Sequence, residues 1–244
     1  MGWKASMILI EDQANTIQND DILKALGVTE YKKTGDWSLE LCIYPRDRSI
    51  SIGRIDKAII VCEDLQLVDS SMTQEMASYE SALSKINPKG EVLSVACLSS
   101  VNYHGYSLLH SGTKVRFKQL DSDSELKEYG DLLPEEISIY DQAIEQDGKT
   151  VWPSSLGSNA DLFEEDQLME EFTFGMAKRI LGVRIDEEEG SDLFFNVPFT
   201  RFEVSQWDIP ETLETHSVKS RSKIGIIVLV VAFFAAIIYF FLLR

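Results

Sequence analysis

Two residues of this sequence, Cys97 and His104, have the chemistry of a nucleophile and its general base. Cys97 lies in the apolar run LSVACLSS, and His104 lies at the start of the next run, YHGYSLLHSG. The link between these runs is too short for a parallel crossover, so they predict a hairpin in which the thiol and the imidazole could meet. No third group stands at a spacing that would orient the pair. An unrecognised hydrolase-like site is therefore one alternative, and no complete catalytic site is predicted.

A second group of candidates consists of three carboxylates, Asp121, Asp123 and Glu125, in the stretch DSDSE. Their spacing matches the start of a calcium-binding loop. Such a loop needs a glycine at its sixth position and a glutamate at its twelfth, and this sequence has Leu126 and Leu132 there. The stretch therefore favours a solvated turn, with a metal-binding sensor as the second alternative. No motif in the sequence predicts a cofactor.

The elements that must position these residues predict an α+β fold built on a mainly antiparallel sheet of about six to eight strands. Short apolar runs bounded by turn residues predict the strands, and the runs are MILIE, WSLELCIYP, SISIGRI, KAIIVCED, EVLSVACLSS, YHGYSLLHSG and TKVRFKQLDSD. A further run, LFFNVPFTRFEV, predicts an edge strand because Pro198 has no backbone N–H to donate.

Two principal amphipathic helices are predicted. In the first, apolar residues recur at intervals of three and four from Met72 to Ile86, with Ser70 or Ser71 as the N-cap. The second begins at Asp161 and ends at Gly182, with acidic residues in its first half and basic residues near its end, as the helix dipole favours. A short helix is also predicted in NDDILKALG.

Residues 224–243 form 20 consecutive uncharged residues, from Ile224 to Leu243. A helix of this length spans about 30 Å, the hydrocarbon thickness of a bilayer. The segment therefore predicts a single transmembrane helix that acts as a tail anchor. The predicted organisation is a cytosolic α+β domain at 1–204, a polar and basic linker at 205–223, and the anchor at 224–243.

Three basic residues, Lys219, Arg221 and Lys223, directly precede the predicted span, and only Arg244 follows it. By the positive-inside rule, this asymmetry predicts that the large domain lies in the cytoplasm. Within the span, Ala232 and Ala236 form a small-xxx-small pair that could support a weak homodimer in the bilayer.

The charge of the chain is strongly acidic, −17 overall. All 40 Asp and Glu precede residue 218, whereas four of the 23 Lys and Arg flank the predicted span, so the part before residue 218 carries 19 basic residues and a net charge of −21. Such a domain repels phosphate, which argues against a nucleic-acid partner. The three cysteines lie inside apolar runs, which predicts reduced core residues.

Several stretches together carry a family resemblance: MGWKASMILI at the start, YP at 44 and 45, HGYSLLHSGTKVRFKQLDSDSELKEYGDLLPEE, and LMEEFTFGMAKRILGV. Their order resembles a family of uncharacterised bacterial proteins, a domain of unknown function common in actinobacteria, over roughly residues 1 to 185. The resemblance implies a bacterial source, which would make the membrane the inner one. It transfers no catalytic residue and no substrate, and the segment at 224–243 is an addition to the pattern.

Taken together, these features predict a single-pass, tail-anchored membrane protein whose acidic cytosolic domain is a non-enzymatic interaction or adaptor module with a protein partner. The two alternatives are a membrane-tethered, hydrolase-like enzyme and a metal-binding sensor.

Overall fold

A nine-stranded antiparallel sheet organises the described part of the chain, which comprises residues 2–46, 48–121, 125–153 and 162–208 of a computed structural model. The strands are β1 (Lys4–Glu11), β2 (Val28–Trp37), β3 (Ser49–Ile55), β4 (Ala58–Cys62), β5 (Glu91–Leu98), β6 (Tyr103–His110), β7 (Thr113–Asp121), β8 (Lys127–Tyr129), β9 (Ile144–Gln146), β10 (Lys149–Pro153), β11 (Leu162–Phe163) and β12 (Phe199–Trp207). The main sheet has the order β2, β12, β3, β4, β1, β5, β6, β7, β8, and β9 to β11 form a small separate sheet.

Seven α-helices and three short 3₁₀ turns accompany these strands within the described residues. The helices are α1 (Asn19–Ala25), α2 (Leu39–Cys42), α3 (Gln66–Ser70), α4 (Ser78–Ile86), α5 (Pro134–Tyr140), α6 (Met169–Leu181) and α7 (Ser191–Asn196), and the 3₁₀ turns are Ser99–Val101, Glu165–Leu168 and Glu188–Gly190. The α+β class with a large antiparallel sheet is therefore confirmed.

Helices cover both faces of the main sheet, so its central strands are apolar on both sides. In β1, Met7 and Leu9 face a core that includes α2, α6 and α7, whereas Ile8 and Ile10 face a second core that includes α1, α3 and α4. This two-sided burial explains why β1 and β4 are near-continuous apolar runs without the alternation of a half-exposed strand. We call the α6 side face A and the α4 side face B.

The strand predicted as an edge proves to be internal. Residues 193–196 belong to α7, and β12 begins only at Phe199, after Pro198, so the proline disturbs no ladder hydrogen bond. β12 then pairs with β3 on one side and β2 on the other. It continues to Trp207, three residues into the segment that the sequence predicts as a linker.

Three predicted element boundaries also differ from the structure. In WSLELCIYP, residues 39–42 form α2, because Leu39 and Cys42, three residues apart, share the buried face of one helical turn. The predicted first principal helix starts at Ser78, because Met72 is buried in an irregular segment ahead of it. The second, α6, starts at Met169 after the turn Glu165–Leu168, and Asp161 lies outside the described residues. Gly182 caps α6 in the left-handed conformation, as predicted.

Within the described residues, no helix is both long enough and apolar enough to cross a membrane. The predicted anchor at 224–243 lies outside the described residues, as do the predicted topology residues Lys219, Arg221 and Lys223 and the pair Ala232 and Ala236.

Candidate functional site

The structure places Cys97 and His104 directly opposite each other in the pairing of β5 with β6. Opposite residues of an antiparallel pair point to the same face of the sheet. Here the face is A, since Cys97 packs in the core that contains α6. The predicted meeting of the two residues across a hairpin is therefore present in the backbone register.

Burial moves the pKa values of both residues away from those that proton transfer from the thiol to the imidazole would need. The side chains of Cys97 and His104 are almost fully buried. Burial raises the pKa of the Cys97 thiol to about 12 and lowers the pKa of His104 to about 4. Glu170 and Asp186 raise the thiol pKa further. At neutral pH the thiol is thus protonated, and the imidazole beside it is too weak a base to remove the proton.

The contacts around Cys97 tie the start of β1 to α6. The Cys97 sulfur lies 3.5 Å from Ser99 Oγ, which donates to Glu170 Oε2 at 3.0 Å. The same Ser99 oxygen accepts the backbone N–H of Trp3 at 3.1 Å. The indole of Trp3 packs edge-on against Phe174 of α6, with ring centroids 5.0 Å apart. These contacts close one end of the core.

Of the three candidate metal ligands, two lie within the described residues. Asp121 is the last residue of β7, Glu125 is exposed, and Asp123 lies outside the described residues. The described part of the chain holds no group of three or more His, Cys, Asp or Glu placed to bind a metal ion.

The most unusual feature of face A is a buried arginine, Arg116 on β7. Its Nε donates to both oxygens of Glu136 at 3.1 and 3.0 Å, and its Nη2 donates to Glu136 Oε1 at 2.7 Å. Nη2 also donates to Glu128 at 2.7 Å, and Nη1 donates to the carbonyls of Tyr129 and Gly130. With every nitrogen used, this guanidinium locks β8 and α5 onto the sheet.

Two lysines of β7 are buried in the same way. On face A, Lys118 donates to Glu165 and, at 2.6 Å, to the Tyr140 hydroxyl, and its Nζ lies 4.5 Å from the ring centre of Phe172. A register shift in the β6–β7 pairing turns Lys114 to face B. There it pairs with Glu80 of α4 at 3.0 Å.

Lys114 also donates to three carbonyls of the segment between α3 and α4, those of Ser71, Thr73 and Glu75, at 2.7 to 2.9 Å. The pairing with Glu80 and these three bonds help to fix this irregular segment. The three buried cations of β7 are therefore structural.

Face B also holds a buried carboxyl, Glu63, for which no cation partner is found among the described residues. It accepts hydrogen bonds from the Ser6 hydroxyl and, at 3.1 Å, from the backbone N–H of Leu67. Burial raises the pKa of Glu63 to about 8, and the charge of Asp64 adds to this, although the hydrogen bonds partly oppose it. Leu65, two residues on, has a left-handed backbone with φ of 82°. Glu63 caps the start of α3 from inside the core.

The accessible candidate is a shallow hollow of about 430 Å³ where the loop after β2 meets the end of α7. Its lining consists of Asp36, Trp37, Ser38, Leu41, Phe195, Asn196, Val197 and Pro198. We call it the Trp37 hollow. Phe195 is 55% exposed and Leu41 is 43% exposed, which is unusual for large apolar side chains.

Two guanidinium groups hold Trp37 in place. Arg201 lies 4.7 Å and Arg46 lies 5.7 Å from the ring centre of Trp37. On the rim, Asp36 accepts a hydrogen bond from Thr200 at 3.1 Å. The Trp37 hollow thus combines an aromatic ring flanked by two arginines with exposed apolar side chains.

Sequence reasoning missed both the Trp37 hollow and the buried cations. The hollow joins residues about 160 positions apart, which no local pattern reveals. The spacing of Lys114, Arg116 and Lys118 could have predicted the buried cations. Basic residues at every second position share one face of a strand, and such a face needs carboxylate partners when it is buried. The register shift that separates Lys114 from the other two has no counterpart in the sequence pattern.

Comparisons of the chain with protein-family models, with curated proteins and with solved structures give no match.

Proposed function

We propose that this protein is a non-enzymatic interaction module that binds a protein partner through the Trp37 hollow. The observation that carries the proposal is the distribution of its side chains. Cys97 and His104, the pair with catalytic potential, are buried and uncharged, while exposed apolar residues gather around a fixed tryptophan. A catalytic cysteine and histidine must be accessible to a substrate, whereas a protein-binding surface needs exposed apolar and aromatic side chains.

The shape of the Trp37 hollow suits a protein side chain better than a small molecule. Small-molecule sites enclose most of the ligand surface, whereas this hollow is shallow. Exposed aromatic and apolar residues beside arginines are the composition of a protein–protein contact core. We infer a partner that inserts one large apolar side chain between Phe195 and Leu41.

The negative charge of the domain favours a partner whose surface is basic around that apolar side chain. The chain carries −17 overall, and Asp36 lies on the rim of the hollow. A basic partner would be steered toward such a surface, and its association would slow as salt increases.

The binding role is tested with the full chain in mild detergent, comparing Phe195→Asp with Ile137→Asp. Ile137 lies on α5 and is 43% exposed, so it is a matched apolar control away from the hollow. The proposal expects a partner that copurifies with the native chain and with Ile137→Asp but is lost with Phe195→Asp. Equal recovery with both variants would refute a role for the hollow.

The non-enzymatic half of the proposal is tested by the reactivity of Cys97. With its pKa near 12 and its side chain buried, the thiol should resist iodoacetamide at about pH 8 until the protein is unfolded. The alkylation site is read by mass spectrometry. Fast labelling of Cys97 in the folded chain would instead favour the hydrolase-like alternative.

We also propose that residues 224–243 hold the domain at the cytoplasmic face of a membrane, on the strength of their length, apolar character and basic flank. The full chain should resist carbonate extraction from membranes, and a chain stopped at residue 217 should not. Protease added to the cytoplasmic side should digest the domain. Extraction of both forms alike would contradict the anchor.

A further inference from the structure

The edge strand β2 is a second surface, separate from the Trp37 hollow. Within the described residues, β2 pairs with β12 alone, so its outer edge carries no neighbouring strand. Six consecutive residues, 29–34, are exposed on both sides of the strand. An accessible edge of this length is a template on which another strand can pair.

The irregularities of β2 restrict where such pairing can occur. Register shifts in the β12–β2 pairing leave Thr34 and Thr29 without a direct partner on β12. Gly35, next to Thr34, adopts φ of 150°. Between these points, residues 31–33 pair with β12 without a shift, and Glu30 follows across a third shift, where Ser205 of β12 is the extra residue. On β2 itself, residues 30–33 are consecutive and have the sequence Glu-Tyr-Lys-Lys.

Symmetry then selects one register for pairing between two copies of this chain. A twofold antiparallel pair must place one residue opposite its own copy. Centres at Glu30, Lys32 or Lys33 put like charges opposite each other, which is destabilising. A centre at Tyr31 puts Glu30 of each copy opposite Lys32 of the other.

We infer that β2 is the contact surface for a second copy of this chain, with Tyr31 opposite Tyr31 and the main sheets joined into one continuous antiparallel sheet. This inference goes beyond the proposed partner binding, since it does not involve the Trp37 hollow. In this register Lys32 lies between Glu203 of its own chain, its neighbour on β12, and Glu30 of the other copy.

Tyr31 is prepared for such a contact. The residue is 39% exposed, and its ring packs edge-on against Phe202, with ring centroids 5.4 Å apart. Its hydroxyl donates to Asp20 of α1 at 2.9 Å. Both contacts fix the ring before association, so pairing two tyrosines across the edge loses little conformational freedom.

The exit of the chain from the sheet is compatible with this geometry. Trp207, the last residue of β12, is the neighbour of Val28, three residues from Tyr31 along β2. In the proposed pair, Trp207 of each copy therefore lies near the twofold axis. Two chains anchored in one bilayer would also meet at a raised effective concentration.

The first test is disulfide trapping of the full chain in membranes with Tyr31→Cys, using Lys33→Cys as the matched control. The native Cys42, Cys62 and Cys97 are buried and should not react. In the proposed register the two thiols introduced at position 31 lie opposite each other, whereas two thiols introduced at position 33 lie about 13 Å apart along the strand. Mild oxidation should yield dimer from Tyr31→Cys only. No dimer, or equal dimer from both variants, would overturn the proposal.

The second test does not depend on cysteine geometry. Glu30→Lys alone and Lys32→Glu alone each put like charges opposite each other, so each variant should lose at least about tenfold in self-association. A mixture of the two variants restores both opposite-charge pairs and should associate as a heterodimer, as measured by single-molecule co-localisation in liposomes. Lys33→Glu, which faces Thr29, is the control. Unchanged self-association of both charge variants would refute the register.

Discussion

At one end of the main sheet, Arg116 and Lys118 are buried against carboxylates, whereas at the other end Lys32 and Lys33 stand in solvent on β2. The same residue types thus serve two purposes in one sheet. A buried cation must have fixed partners, because an unpaired charge in the core is strongly unfavourable. An exposed cation is already solvated and can exchange water for a partner at little cost. The buried end therefore defines the fold, and the exposed end is available for recognition.

The largest effect should come from breaking the buried end. Arg116→Met leaves the fully buried Glu136 without a cation and should lower the free energy of unfolding by about 3 to 5 kcal/mol. Urea denaturation of the full chain in detergent measures it. The double variant Arg116→Met with Glu136→Leu should recover part of the loss, since neither charge remains. A loss under about 1 kcal/mol for the single variant would mean that the pairing of Arg116 with Glu136 does not stabilise the fold.

The next largest effect concerns the pH dependence of stability due to Glu63. Its folded pKa, raised to about 8, exceeds its ordinary value, so the folded state binds the extra proton between about pH 4.5 and 8. Stability should therefore fall as pH rises through this window. Glu63→Gln cannot titrate, so only the native chain loses stability as pH rises. The free energy of unfolding of Glu63→Gln minus that of the native chain should therefore increase by on the order of 2 to 4 kcal/mol between about pH 5 and 8.5. A pH-independent difference would contradict the buried carboxyl.

A smaller effect of opposite sign is expected from His104. Its folded pKa, lowered to about 4, means that the unfolded chain takes up a proton first as pH falls. This contribution to stability is complete above about pH 6.5 and is lost as pH falls toward 4. Between about pH 7 and 4.5, His104→Gln should lose about 1 to 3 kcal/mol less unfolding free energy than the native chain. Thermal unfolding of both chains measures the difference. The same acid sensitivity in both chains would place the histidine in solvent.

The smallest effect on stability should come from the exposed end. Glu30→Lys should change the free energy of unfolding of the monomer by no more than about 0.5 kcal/mol, because this position is solvated. Lys32→Glu puts a carboxylate opposite Glu203 of the same chain and should cost no more than about 1 kcal/mol. The same urea titration measures this at concentrations below those of self-association. A loss comparable to that of Arg116→Met would show that β2 is part of the core rather than a binding edge.

The contrast between the two ends also explains what could be predicted from the sequence. The meander β5 to β7 follows from apolar runs with short turns, and α6 follows from its charge asymmetry and Gly182. β2 was missed because an exposed edge strand has no apolar alternation, and its place is set by β12, about 170 residues away.

The candidate site was predictable only in part, for a related reason. The opposite positions of Cys97 and His104 followed from the hairpin, but their burial depends on α6 packing over them. The Trp37 hollow depends on α2 and α7, two short helices that the sequence predicts as strand. Short connections determine which neighbours pair, whereas long-range packing determines which side chains remain exposed.

The most direct test of the central claim, that this domain works through its exposed surface, is site-specific photo-crosslinking in living cells. A benzophenone amino acid would replace Phe195 in the Trp37 hollow or Ile137 on α5. We expect one discrete cross-linked species from position 195, absent from position 137 and unchanged when Cys97→Ala is added. No cross-link at 195, or the same species from both positions, would contradict the account.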